Sequence, residues 1–164
     1  LTPGLPGGVA RRELDALATS LGWDADQLVH GDVKQHEGPG NALIATLRFA
    51  ELSEVFVELG AKNLSSEQVA GRLVKAMRDF QKKPEAAVGP HLADQLVLLQ
   101  ALAVWQAGQR APGDGATSAQ FSCSEVTEHL RTNCAVIERF LPVRLRVGAE
   151  KAPVVRIDGK MDAV

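Results

Sequence analysis

His129 is the residue whose surroundings most suggest chemistry. It follows Thr127, a residue type that accepts a hydrogen bond from a free backbone N–H at a helix start. Apolar residues then fall at helical spacing, Leu130, Cys134, Ile137 and Leu141. The pattern predicts a helix from Glu128, with His129 in its first turn and Thr132 and Asn133 further along the same face. The partial positive charge of a helix start favours an uncharged, nucleophilic imidazole near neutral pH. The same end attracts phosphate. A neutral ring beside a phosphate can attack phosphorus and carry the transferred group covalently. For a lone residue at a helix start, an inert surface histidine is the commoner case.

The elements that must position this residue can be read outward from it. Pro142 stops the helix, and Val143, Leu145 and Val147 alternate with Arg144 and Arg146 as a strand, residues 143–148. A second strand is expected over 153–158. Upstream, Pro90 suits a first helical turn, and the residues from Leu92 to Val104 are apolar nearly all round, which predicts a buried helix. Asp94 in such a helix must be paired, hydrogen-bonded or facing a cleft, or must simply complement the helix dipole. The following run, 105–120, reads as an exposed loop.

Before these comes a different texture. Residues 1–8 are rich in Pro and Gly, and 9–22 form an amphipathic helix stopped by Gly22. Residues 27–34 are a weak strand candidate, and Gly38-Pro39-Gly40-Asn41 is a turn. It lacks the lysine and following helix of a phosphate loop. Leu43, Ala45, Leu47 and Phe49 alternate with Ile44, Thr46 and Arg48, and Val55, Val57 and Leu59 alternate with Phe56 and Glu58, giving a hairpin. Ser65 and Gln68 form a capping-box pattern before the stripe Val69, Leu73, Met77 and Phe80. Lys75, Arg78, Lys82 and Lys83 read as a basic tail that offsets the dipole of that helix. The expected fold is α/β of the α+β kind: a small α-β-β-β-α unit over 1–83, then a second αβ region over 84–164.

Composition narrows the possibilities further. The 164 residues have a net charge of −2, so any nucleic-acid contact must come from a local patch. The two cysteines, Cys123 and Cys134, lack metal-ligand spacing and are expected as free thiols. His30 and His36 lack further ligands at suitable spacing, so no metal ligand is assigned among these residues. No apolar run reaches the ~18 residues of a membrane span. The opening LTPGLPGG is not a secretory signal, and a cytoplasmic location is expected.

The run EHLRTNCAVIERFLPVRL (128–145), with HLADQLVL (91–98), resembles the RNA 3'-terminal phosphate cyclase family. GPGN at 38–41, SEVFVELG at 53–60 and SSEQVAGRLVKAM at 65–77 resemble that family's inserted small domain. In the family the first His of an H-x-x-T segment becomes adenylylated, which the resemblance carries over to His129, with Thr132 completing the segment. It assigns nucleotide contact to His91, Leu92, Ala93, Asp94 and Gln95, with His91 supportive. It makes 1–83 the inserted domain and 84–164 part of a larger cyclase/enolpyruvate-transferase-like catalytic domain. It also implies ATP, a divalent Mg²⁺ or Mn²⁺ ion, and RNA 3'-phosphate ends as substrate. The chain starts at Leu1 and resembles the family's C-terminal portion, so a missing N-terminal half of the same protein is expected to complete the pocket. These residues alone are then expected to be inactive. The sequence leaves a homo-oligomer open and indicates no membrane partner. Two features depart from the family: Leu99-Gln100 stands where a proline is usual, and the 105–120 run is longer than a tight turn. The alternatives are a non-catalytic cyclase-like protein of RNA processing or ribosome biogenesis, and an unrelated α/β interaction domain.

Overall fold

A computed structural model describes residues 1–31, 39–110, 117–149 and 151–160. The chain divides into two compact units, Leu1–Gln81 and Lys82–Val164.

In the first unit, helix α1 (Gly8–Leu21) ends at Gly22, whose φ of 68° lies in the left-handed region that glycine adopts without a Cβ clash. Strands β1 (Ala42–Arg48) and β2 (Ser53–Leu59) pair antiparallel, with Ala45 opposite Phe56. Helix α2 (Ser66–Gln81) is opened by the expected capping box: the Ser65 N–H donates to Gln68 Oε1 (2.9 Å) and Ser65 Oγ accepts from the Gln68 N–H (3.2 Å). Val69, Leu73 and Met77 are buried together with Leu17 of α1 and Leu43 and Ala45 of β1. Phe80 meets Phe49 and Phe56 at centroid distances of 6.2 and 5.8 Å, in tilted and edge arrangements that aromatic pairs favour.

Two expectations for this unit change. The strand over 27–34 is not found in its described part: Ala25–Gln27 is a single 3-10 turn and residues 28–31 are irregular. Residues 32–34 and His36 lie outside the described residues. The basic tail also changes role. Only Arg78 lies in the last turn of α2, and its guanidinium donates to the Ser20 carbonyl near the end of α1 (2.7 Å). Lys82 and Lys83 follow the helix.

A carboxylate is buried in this unit. Glu13 of α1 is 2 % exposed and accepts from the Asn41 side-chain amide. Burial pushes the Glu13 carboxyl up, against the opposing pull of the N-terminal ammonium, Arg12 and the Asn41 bond. Gly60 lies against this pair, and a Cβ there would displace the Asn41 side chain.

In the second unit, helix α3 (Pro90–Arg110) is followed by strand β3 (Ser118–Ser122), helix α4 (Glu128–Phe140), strand β4 (Val143–Val147) and strand β5 (Val154–Gly159). The sheet order is β3-β5-β4, antiparallel throughout. Val143, Val155 and Ile157 are fully buried, as are Ala93, Val97 and Ala101 of α3 and Leu130 of α4. The helix over 90–104 is not apolar-buried all round, as Leu98 and Leu99 are exposed. Its buried residues Ala93, Val97, Ala101 and Val104 make one stripe. The expected loop over 105–120 is also corrected. Residues 105–110 continue α3, and 118–120 begin β3. Residues 111–116 lie outside the described residues. Both cysteines are free and buried, and burial pushes the Cys134 thiol up to about 11. No helix among the described residues is long and apolar enough to cross a membrane.

Candidate active site

Both helix starts of the second unit leave from one place. Val88 and Cys123 form a parallel bridge, and the Ser124 N–H donates to the Val88 carbonyl (2.9 Å). The segments leading into α3 and α4 therefore run side by side in one direction. Thr127 caps α4 as its residue type predicts, its Oγ1 accepting from the Leu130 N–H at 3.1 Å. Pro90 opens α3 at a position where its missing N–H costs nothing.

The helices are joined across this end by one polar bond. The Asn133 side-chain amide donates to Asp94 Oδ1 at 2.5 Å, spanning 39 residues of sequence. Asp94 is half-buried, so the carboxylate in the apolar helix is indeed hydrogen-bonded. His91 lies three residues before Asp94, and His129 four residues before Asn133. Helical periodicity puts each histidine one turn nearer the helix start than the Asp94–Asn133 bond, on the same faces. His129 and His91 are exposed, and neither ring has a hydrogen-bond partner among the described residues.

The remaining expected site residues divide by burial. Gln95 and Thr132 are exposed, and Leu92 is half-buried. Ala93 is fully buried and packs in the core, its N–H bonded to the Gly89 carbonyl (3.0 Å). The Asn133 side-chain amide donates to Asp94 and so links the two helices.

Lys83 was missed by sequence reasoning. Its ammonium donates to the Ser124 carbonyl at 2.7 Å, in the segment that leads to Thr127 and His129. Taken with the helix before it, Lys83 looks like a dipole partner. Since α2 ends at Gln81 and Pro84 follows, the residue belongs to the second unit. Among the described residues no group of three His, Cys, Asp or Glu side chains is placed to hold a metal ion.

Two capped or Pro-opened helix starts entered from one bridge, each with an exposed imidazole in its first turn, can receive an anionic group and present it to a nitrogen nucleophile. The family model for RNA 3'-terminal phosphate cyclase matches residues 12–147, which includes both helix starts. The chain belongs to the RNA 3'-terminal phosphate cyclase family.

Proposed function

We propose that the protein is an ATP-dependent RNA 3'-phosphate cyclase and that His129 is its nucleophile. The observation that supports this most is the exposed, unpartnered His129 at the capped start of α4, one turn from the bond that joins α4 to Asp94. In this reading a ring nitrogen of His129 attacks the α-phosphorus of ATP. A P–N bond forms, and the bond to the pyrophosphate oxygen breaks. An oxygen of the RNA 3'-phosphate then attacks the same phosphorus, breaking the P–N bond and moving AMP to the RNA end. Finally the adjacent 2'-hydroxyl attacks the 3'-phosphorus, loses its proton, closes the 2',3'-cyclic phosphate and expels AMP. Covalent activation replaces a poor leaving group with a good one.

The chain's own residues would do the positioning. His91, Asp94 and Gln95 would face the nucleoside, with Asp94 held by Asn133. Ala93 and Leu92 would contribute backbone shape more than side-chain contact. Lys83 would fix the segment before α4 through Ser124. A divalent ion, Mg²⁺ or Mn²⁺, belongs to this proposal as a source of phosphate charge neutralisation. The described residues hold no ligand cluster that fits it.

The test uses the full-length protein and ATP labelled at the α-phosphate, with divalent metal. Wild type should acquire acid-labile, alkali-stable label, and His129→Ala should acquire none. Absence of label on folded wild type would overturn the reading. Retained RNA affinity in that case would favour a non-catalytic cyclase-like protein.

A further inference from the structure

The outward face of the β3-β5-β4 sheet carries two polar rows. Arg146 stands directly opposite Arg156, which stands opposite Gln120. Arg144 stands opposite Asp158, which stands opposite Ser118. Alternation sends all six away from the buried Val143, Val155 and Ile157. The three arginines are exposed.

Their partners leave positive charge unbalanced. Asp158 is the single carboxylate in these rows, and Arg146 takes it in an ion pair. Arg156 donates to the neutral amide oxygen of Gln120 at 2.9 Å. Arg144 has no hydrogen bond or ion pair among the described residues. Like charges set directly opposite on a sheet are unfavourable, yet Arg146 and Arg156 occupy that relation, with Cα atoms about 5 Å apart. Solubility alone is served by mixed signs. Three guanidiniums against one carboxylate, on a chain with a net charge of −2, mark a place where an anion would relieve the repulsion.

We propose that this face binds the sugar-phosphate backbone of single-stranded RNA, upstream of the reacting 3' end. The guanidinium forks match phosphate oxygens. The two rows carry no aromatic residue on which a base could stack and no large apolar anchor of the kind that dominates protein interfaces. Binding here therefore depends on salt and backbone, not on base identity. The choice of RNA as the polyanion rests on the cyclase reading above.

The experiment measures binding of 5'-fluorescein single-stranded RNA carrying a 3'-phosphate, by anisotropy over a salt series, with the full-length protein. Circular dichroism and a thermal melt check folding of each variant. Arg144→Gln/Arg146→Gln/Arg156→Gln should weaken binding at least tenfold. It should also lower the slope of log affinity against log salt by about 2, from about 0.7 per lost phosphate contact. The triple Lys variant should restore most of that slope. Transfer of label from ATP to His129 in the absence of RNA should be unchanged. An unaltered affinity and salt slope in the folded Gln variant would overturn the proposal. So would displacement of RNA by a poly-glutamate peptide at lower charge concentration than by unlabelled RNA, which would point to an acidic protein. If wild type takes no label but the Gln variant still loses RNA, the His129 chemistry fails and this face stands. If labelling succeeds and RNA binding is unmoved, the reverse holds.

Discussion

Each of the two antiparallel sheets buries one face against helices, and their free faces differ in kind. In the first unit Ile44 stands opposite Val57, Thr46 opposite Val55 and Ala42 opposite Leu59. Ile44, Val55, Val57 and Leu59 are all exposed. The row facing the helices instead includes Glu54, which is buried, and Glu58, which pairs with Arg72 of α2 at 3.6 Å. In the second unit the helix-facing row is aliphatic and the free row is cationic. Alternation identifies two faces of a strand, but burial is assigned by the helices that cover it. For β4 and β5 hydrophobicity and burial agree. For β2 they disagree, because pairing puts Phe56 and its neighbours in register with the buried residues of β1.

The largest effects should come from the covered faces. Ile157→Ala in the second unit and Leu73→Ala in the first should each cost about 2–5 kcal/mol in denaturant unfolding. A loss below about 1 kcal/mol at either site would contradict the packing described for that unit.

Next comes the one carboxylate sealed into α1. Asn41→Ala should cost about 1–3 kcal/mol, since it removes a donor from a buried acceptor. Gly60→Ala should act in the same direction by displacing the Asn41 amide. The raised pKa of Glu13 sets the sign with pH. Its contribution to stability is fullest below the unfolded value of 4.5 and is lost as pH rises through the higher folded value. Glu13→Gln should flatten that dependence and melt higher than wild type at neutral pH. Melts across the acidic to neutral range check this.

The free faces should matter least to stability. Val57→Thr and Arg156→Thr should each change it by less than about 1 kcal/mol. Arg156→Thr should be the salt-sensitive one, because it removes a like-charge pair. Denaturation at low and high salt separates the two.

Much of the architecture was legible where local chemistry and tertiary packing agree. Thr127 caps α4, Ser65 and Gln68 open α2, and the periodicity of α2 and β4 marks the buried residues. Ser118–Ser122 was hidden because SAQFS has little strand character of its own, and pairing with β5 supplies what local preference lacks. Leu98 and Leu99 misled because apolar character does not by itself guarantee cover. At the candidate site, His129 and Asp94 could each be picked out by type and position. Their linkage through Asn133 and the reach of Lys83 to Ser124 could not, since both depend on contacts between distant stretches of chain.

The bridge between Val88 and Cys123 bears on how such a protein can vary. Because the bridge fixes the entry to α4 beside the entry to α3, the length of the connection that joins α3 to β3 does not set where Asp94 and Asn133 meet. That connection is decoupled from the placement of the imidazole. Insertions and deletions in it can then accumulate while the two helix starts keep their mutual alignment.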